Sequence, residues 1–323
     1  MNANLRNRLL YFLIPLTLLL LLAACGGNND SQEETEQDNN TEETGSSEIT
    51  MESEMGEVTI SADPERVLAP YNEDTLLALG VQPVAKWAIG ESVQTYLEDE
   101  LSEVPSIEWT LPLEQVLSHE PDLIILENNM ENYEGTYEDY NSIAPTYVMS
   151  EEMTSDWRMQ LETFGEMLGK EEEAEAALND YEQKVADASE TINQAIGDET
   201  VAAIWATGDQ FFLFEQDRHS AEVLYSELGI NVPAYVEDLG EAGTTWNPIS
   251  IEALSELDAD HVFLLAEEGV PAVETLENSS VWQSTPAAEN SNVYRVEDPS
   301  NWTNKGLIAS EQTINDVLEA LAN

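Results

Sequence analysis

Two stretches of the chain carry the same hydrophobic pattern in the same order. Leu113-Glu114-Gln115-Val116-Leu117 has helical spacing, passes through Pro121-Asp122, and enters the apolar run Leu123-Ile124-Ile125-Leu126. Ile251-Glu252-Ala253-Leu254 passes through Ala259-Asp260 into His261-Val262-Phe263-Leu264, with glutamate, aspartate and the final leucine at equal offsets. Each reads as a short helix, a turn and a buried strand. A second pair agrees. Leu76 to Gly80 precedes Val81 and Pro83, and Leu224 to Gly229 precedes Ile230 and Pro233. Both read as helices closed by a glycine in the left-handed C-terminal position. Alternation of helix and buried strand predicts parallel-rich sheets, and the duplication predicts two similar α/β lobes, residues 57–155 and 199–323.

Residues 156–198, between the lobes, have a helical period. Trp157, Leu161, Phe164 and Leu168 follow 4-3-4 spacing up to Gly169, and Leu178, Tyr181, Val185, Ala188 and Ile192 follow 3-4-3-4 spacing up to Gly197. The spacing predicts a helix over 171–196, about 39 Å long at 1.5 Å per residue. Such a helix can run the height of both lobes as a stiff strut.

The N-terminal pattern is different. Arg6 and Arg8 precede an apolar run from Leu9 to Leu22, broken only by Pro15 and Thr17. A membrane-spanning helix needs roughly 20 apolar residues, so residues 1–24 read as a secretory signal. Leu22-Ala23-Ala24-Cys25 looks like a bacterial lipobox. Cys25, the only cysteine, is expected to take a lipid and hold the chain on the outer face of the cytoplasmic membrane. With no disulfide possible within one chain, the fold must rest on its core. Residues 25–56 read as an acidic tether. From 26 to 56 the chain has ten acidic residues, no basic residue and no aromatic, too little apolar surface to offset its entropy. As a coil it would span roughly 30 Å.

Charge narrows the partners. Without Arg6 and Arg8 the chain has 8 basic against 66 acidic residues. Nucleic acid and anionic lipid are poor partners for such a surface. The acids are dispersed along the chain, which reads as a solvated surface suited to salty or alkaline surroundings rather than as a store of cation sites.

From about 57 to 323 the chain resembles the iron-siderophore and vitamin B12 class of ABC importer binding proteins. The resemblance is carried by Asp74-Thr75-Leu76-Leu77-Ala78-Leu79-Gly80-Val81, Leu113 to Leu126 and Ile143-Ala144-Pro145-Thr146. It continues in Phe164 to Glu171, Ser250 to Leu254 and Gly306-Leu307-Ile308-Ala309-Ser310-Glu311. It implies two α/β lobes joined by one rigid helix, a shallow cleft and small closure on binding. It also implies a monomer without enzymatic activity or cofactor, delivering a ferric siderophore to a membrane permease. One carboxylate on the rim of each lobe would pair with arginines of the importer, and the matching positions are Asp74 and Glu252. Glu73 and Glu114 are rivals.

A ferric siderophore is already coordinately saturated, so the protein need supply only aromatic walls and a few donors. Tyr71, Trp87, Trp109, Trp205 and Trp246 sit where strands and loops of an α/β lobe meet a cleft. Arg218 is the leading polar candidate, because guanidinium offers a fork of donors to chelator oxygens. Lys86 and Arg158 are lesser candidates. So few basic residues suit a ferric hydroxamate better than a catecholate. Haem and cobalamin remain alternatives. Haem would want an axial ligand, for which His219 and Met130 are open. Zinc-type relatives need several imidazoles, whereas His119 and His261 read as structural. A cell-surface hydrolase is the reading from another class. Against it, the chain lacks a G-x-S-x-G elbow, an H-E-x-x-H pair, a glycine-rich phosphate loop and a cysteine nucleophile.

Overall fold

The structure, a computed structural model, describes residues 48–322. The signal segment, the lipobox with Cys25 and most of the acidic tether therefore lie outside the described residues. The tether reading needs one correction. Residues 48–56 do not belong to a coil: β1 (Glu48–Ser53) pairs antiparallel with β2 (Gly56–Ser61). Exposure alternates along β1, and Val58 and Ile60 of β2 are buried in the core. A period of two lets each strand present one apolar face.

The first lobe holds two small sheets. In one, β7 (Leu123–Leu126) lies between β3 (Val67–Leu68) and β8 (Thr146–Val148), all parallel. In the other, β4 (Lys86–Ile89) pairs parallel with β6 (Ser106–Glu108) and antiparallel with the short β5 (Glu91–Ser92). The second lobe holds one sheet in the order β10 (Gln210–Leu213), β9 (Val201–Thr207), β11 (His261–Leu265), β12 (Val293–Val296). It is parallel except for β10.

The repeat has a structural reason. Asp122, just before β7, accepts hydrogen bonds from the amides of Glu65 and Arg66 at 2.9 Å each. Asp260, just before β11, accepts from the amide and hydroxyl of Thr200 at 2.8 and 2.9 Å. In each lobe the repeated aspartate thus fixes the start of the neighbouring parallel strand. Gly80 and Gly229 both have positive φ, +73° and +70°, as the glycine-closed helices require.

The strut is a helix over Glu171–Ile196. It buries Ala174, Tyr181, Ala188 and Ile192 and leaves its acidic face in solvent. The C-terminal helix Leu307–Leu321 packs against the strut and against Glu73–Ala78 of the first lobe. So the last part of the chain, assigned by its pattern to the second lobe, returns to the first. One hydrophobic core runs through both lobes, from Val67 and Leu123 through Tyr181 to Val201, Phe263 and Trp302. A shared core of this kind resists hinge motion, since opening the lobes would expose it.

Candidate ligand cleft

A cleft of about 400 Å³ opens where the carboxyl ends of the strands of both lobes meet. This is within the range of small-molecule sites and at the expected edge of α/β sheets. The first lobe supplies Tyr71 from the turn after β3 and Trp87 from β4, with ring centroids 5.0 Å apart. The second lobe supplies Trp205 from β9 and Trp246 from the loop before the helix Ile251–Leu254, 5.2 Å apart. Four of the five expected aromatics therefore meet in one place.

Each ring is held from behind. Tyr71 adopts φ +66°, a left-handed conformation uncommon for a tyrosine. A turn fixes it: the Asn72 amide donates to Ala69 O at 3.0 Å, and Gln94 donates to Tyr71 O at 3.2 Å. The Trp87 amide donates to the buried Glu73 at 2.6 Å, and its indole N–H to Trp109 O at 3.3 Å. Trp246 packs edge-on against Phe214 and stacks on His219.

Trp109 and Arg218 do not line the cleft. Trp109 is 40% exposed and contributes only its backbone carbonyl. Arg218 is buried. Its guanidinium pairs with Glu215, donates to the carbonyls of Gly243 and Thr245, and lies 4.5 Å from the Trp246 ring centroid. A guanidinium left free would be costly in that position, so the loop wraps it. Arg218 thereby positions Trp246 from beneath. Lys86 is also spent internally, on Glu98 and Leu101 O, and Arg158, on the helix Trp157–Met167, pairs with Glu227.

Asp74 is not a rim residue. Its side chain is buried, and it accepts from the amides of Ile308 and Ala309 and from the Tyr96 hydroxyl. Glu73 is buried as well. Glu252 and its repeat partner Glu114 are both exposed, each at the second position of a short helix.

The third wall carries no aromatic residue. It consists of Glu267 and Val270 after β11, and Asp298, Pro299, Thr303 and Asn304 after β12. The signal was present: both segments follow the carboxyl ends of parallel strands. Among the described residues, no lysine, arginine or histidine lines the cleft. Every lysine and arginine among the described residues pairs with a carboxylate or donates to a backbone carbonyl, Arg295 doing so at the Glu267 carbonyl behind the third wall.

Titratable groups behind the first-lobe wall are shifted by burial. The Glu73 carboxyl is pushed up to about 8, chiefly by desolvation, with Glu127 adding to it. Glu127 is raised to about 7, again by burial. The Tyr71 phenol is raised by burial and by both carboxyls, so it stays a neutral donor. His219 is pushed down to about 4 by burial, then by Lys305 and Arg218.

His219 and Met130 are not among the residues lining the cleft. Tyr71 is the one lining side chain of a kind that ligates haem iron, and the environment that raises its phenol opposes the phenolate such a bond needs. His261 is held between Glu199 and Tyr294 within the second-lobe sheet. The described residues contain no cluster of three or more His, Cys, Asp or Glu able to hold a metal. No helix among them is long and apolar enough to cross a membrane.

Residues 67–299 match a family described as periplasmic binding protein. The chain is 26% identical over 296 residues to the iron(3+)-hydroxamate-binding protein FhuD of Bacillus subtilis, covering 88% of this chain and 91% of that one. It is 27% identical over 285 residues to the Fe(3+)-citrate-binding protein YfmC of the same organism, covering 84% and 85%. Among solved structures it is similar to a periplasmic binding protein component of a Fep/Fec-like ferrichrome ABC transporter from Bacillus subtilis. There the TM-score is 0.71 at 25% identity, over 84% of this chain and all of that one.

Proposed function

The chain belongs to the periplasmic binding protein family, and from that premise we propose that it captures a ferric hydroxamate siderophore and delivers it to an ABC importer. The observation that carries the reading is the cleft: rigid, walled by four aromatic rings, and free of cationic side chains. Ferric tricatecholates and ferric citrate are anionic, and an anion desolvated here would meet Glu267 and Asp298 rather than a guanidinium. Ferric trihydroxamates without further ionisable groups are neutral. Their apolar chelate surface can lie on the tryptophans while Tyr71 and Thr303 donate to oxygens. Relatives named for hydroxamate and for citrate match almost equally, at 26% and 27% identity, so the choice between them rests on the charge of the cleft.

Calorimetric titration will test it. A ferric trihydroxamate should bind at least about tenfold more tightly than a ferric tricatecholate, roughly 1.4 kcal/mol. The reverse order would overturn the argument from cleft charge.

Delivery needs a docking surface. With Asp74 buried, the rim carboxylates become Glu114 on the first lobe and Glu252 on the second, which are exposed and equivalent by the repeat. Replacing both with alanine should leave siderophore affinity unchanged and cut cellular uptake at least about tenfold, because losing a paired interfacial charge strands its partner. Uptake of labelled ferric siderophore, beside binding by the purified protein, separates the two steps. Undiminished uptake would retire the pair. The lipobox ending at Cys25 supports anchoring outside the cytoplasmic membrane, where the tether would keep the lobes near the importer.

A further inference from the structure

We propose that the cleft selects a positively charged ferric trihydroxamate, one bearing a free ammonium on its chain, over neutral and anionic chelates. This rests on the siderophore reading above and adds a charge specificity to it.

Three features converge. The first is the set of ring faces. Tryptophan and tyrosine present negative π-surface, and a cation within about 6 Å of such a ring is attracted to it, tryptophan being the best partner. Trp87, Trp205, Trp246 and Tyr71 all line the cavity. The second is the pair of carboxylates on the third wall. Asp298 is held in place by the Thr95 hydroxyl at 2.9 and 3.1 Å and by the Ser300 amide at 2.9 Å. Glu267 sits on the loop after β11. Neither forms an ion pair among the described residues, and both are exposed at the cleft. The third is the disposition of the cations. Arg295 approaches this wall, but its bonds go to the backbone carbonyls of Ala266 and Glu267, at 3.1 and 2.9 Å. Arg218 is sealed beneath Trp246 by Glu215. An ammonium entering the cleft therefore meets two carboxylates without an ion-pair partner and aromatic faces, while the nearest guanidiniums, Arg295 and Arg218, stay behind the walls rather than lining them.

The overall acidity of the chain would also draw in cations, so a test must separate the local groups from the general field. Long-range attraction fades once the Debye length falls to about 3 Å near 1 M salt, while direct contacts are screened much less.

The probes are three ferric complexes of one linear trihydroxamate, with its terminal amine free, acetylated or succinylated. The chelate is the same and its pendant charge is positive, absent or negative. Binding is read from tryptophan fluorescence at low and molar sodium chloride, for the parent protein, Glu267→Gln and Asp298→Asn. The expected order is free amine, then acetylated, then succinylated, with about tenfold between the first two, the size of a few partly exposed charge contacts. Part of that ratio should survive in molar salt, and it should fall toward unity in Glu267→Gln. Asp298→Asn should do the same, and Glu267→Gln keeps the test decisive if loss of the Thr95 contact disturbs the fold. Equal affinity for the three complexes overturns the charge selection and leaves the siderophore reading standing. So does a ratio that vanishes in molar salt and ignores both substitutions, since the general field would then account for it. Failure of all three complexes to bind overturns the siderophore reading itself.

Discussion

Replacing Asp74 with alanine should destabilise the whole protein, by roughly 3–5 kcal/mol, the range for removing a buried charged partner. Asp74 is 1% exposed. Its Oδ1 accepts from the Ile308 amide at 3.0 Å, and its Oδ2 from the Ala309 amide and the Tyr96 hydroxyl at 2.9 Å each. The two amides belong to the first turn of Leu307–Leu321, where an α-helix has no internal acceptors and where its dipole favours a negative charge. Alanine would strand two amides and a hydroxyl in the core between the first-lobe helix, the C-terminal helix and Tyr96. The approach is close enough to need Gly306: a Cβ there would fall 2.3 Å from the Asp74 Cγ. Gly306→Ala should therefore destabilise through the same contact. At about 2–4 °C per kcal/mol for a domain of this size, the Asp74→Ala melting temperature should drop by about 10 °C. Thermal and urea unfolding will measure it. A shift within two degrees of the parent would show that the latch is dispensable.

Glu73 makes the second large effect, with a dependence on pH. Its carboxyl is fully buried, and burial raises it from 4.5 to about 8. The folded state therefore keeps a proton that the unfolded chain has already lost. Where the native state binds more protons, stability falls as pH rises. The contribution is fully present below about 4.5, declines across the interval to about 8, and is level above it. Each pH unit in that window costs up to about 1.4 kcal/mol, so the whole span amounts to several kcal/mol. Asp74 and Glu127 are raised in the same direction, to about 6 and about 7, and deepen the slope. Glu127, Tyr71 and Tyr96 share the electrostatics of this pocket with Glu73. Glu73→Gln has the shape of the neutral acid and can still accept from the Trp87 amide. It should match the parent near pH 4.5 and be more stable by a few kcal/mol at pH 9. Urea unfolding across that range gives the comparison. Parallel curves for parent and variant would mean that Glu73 is ionised in the fold at neutral pH.

Asp74 and Glu73 also show where sequence reasoning stops. Both stand at the start of a helix, and an acid there is favourable whether it faces solvent or a neighbour. Local pattern cannot separate the cases. The deciding fact is the return of a segment more than 200 residues later, whose helix start lands on Asp74. Arg218 is similar. Its position after β10 suggested a cleft donor, but Glu215, three residues earlier, and the loop at 243–246 enclose it. The missed hairpin has another cause. Glu48 to Ser53 alternates apolar and polar residues, but by composition its acids merge with those of the preceding run. Composition removes the period of two on which a strand depends.

The sequence by itself determined what local periodicity and repetition can carry: two α/β lobes, the glycine-closed helices, and a strut over Glu171–Ile196. It also placed four of the cleft aromatics, because rings at the carboxyl ends of parallel strands point to the edge where lobes face each other. Tertiary structure alone decided which charges are buried, which are rim, and which side chains share a wall. Those outcomes depend on contacts between residues far apart in the chain. An acid or arginine reads the same in sequence whichever side of the surface it occupies, and only packing sets its partners and its desolvation cost.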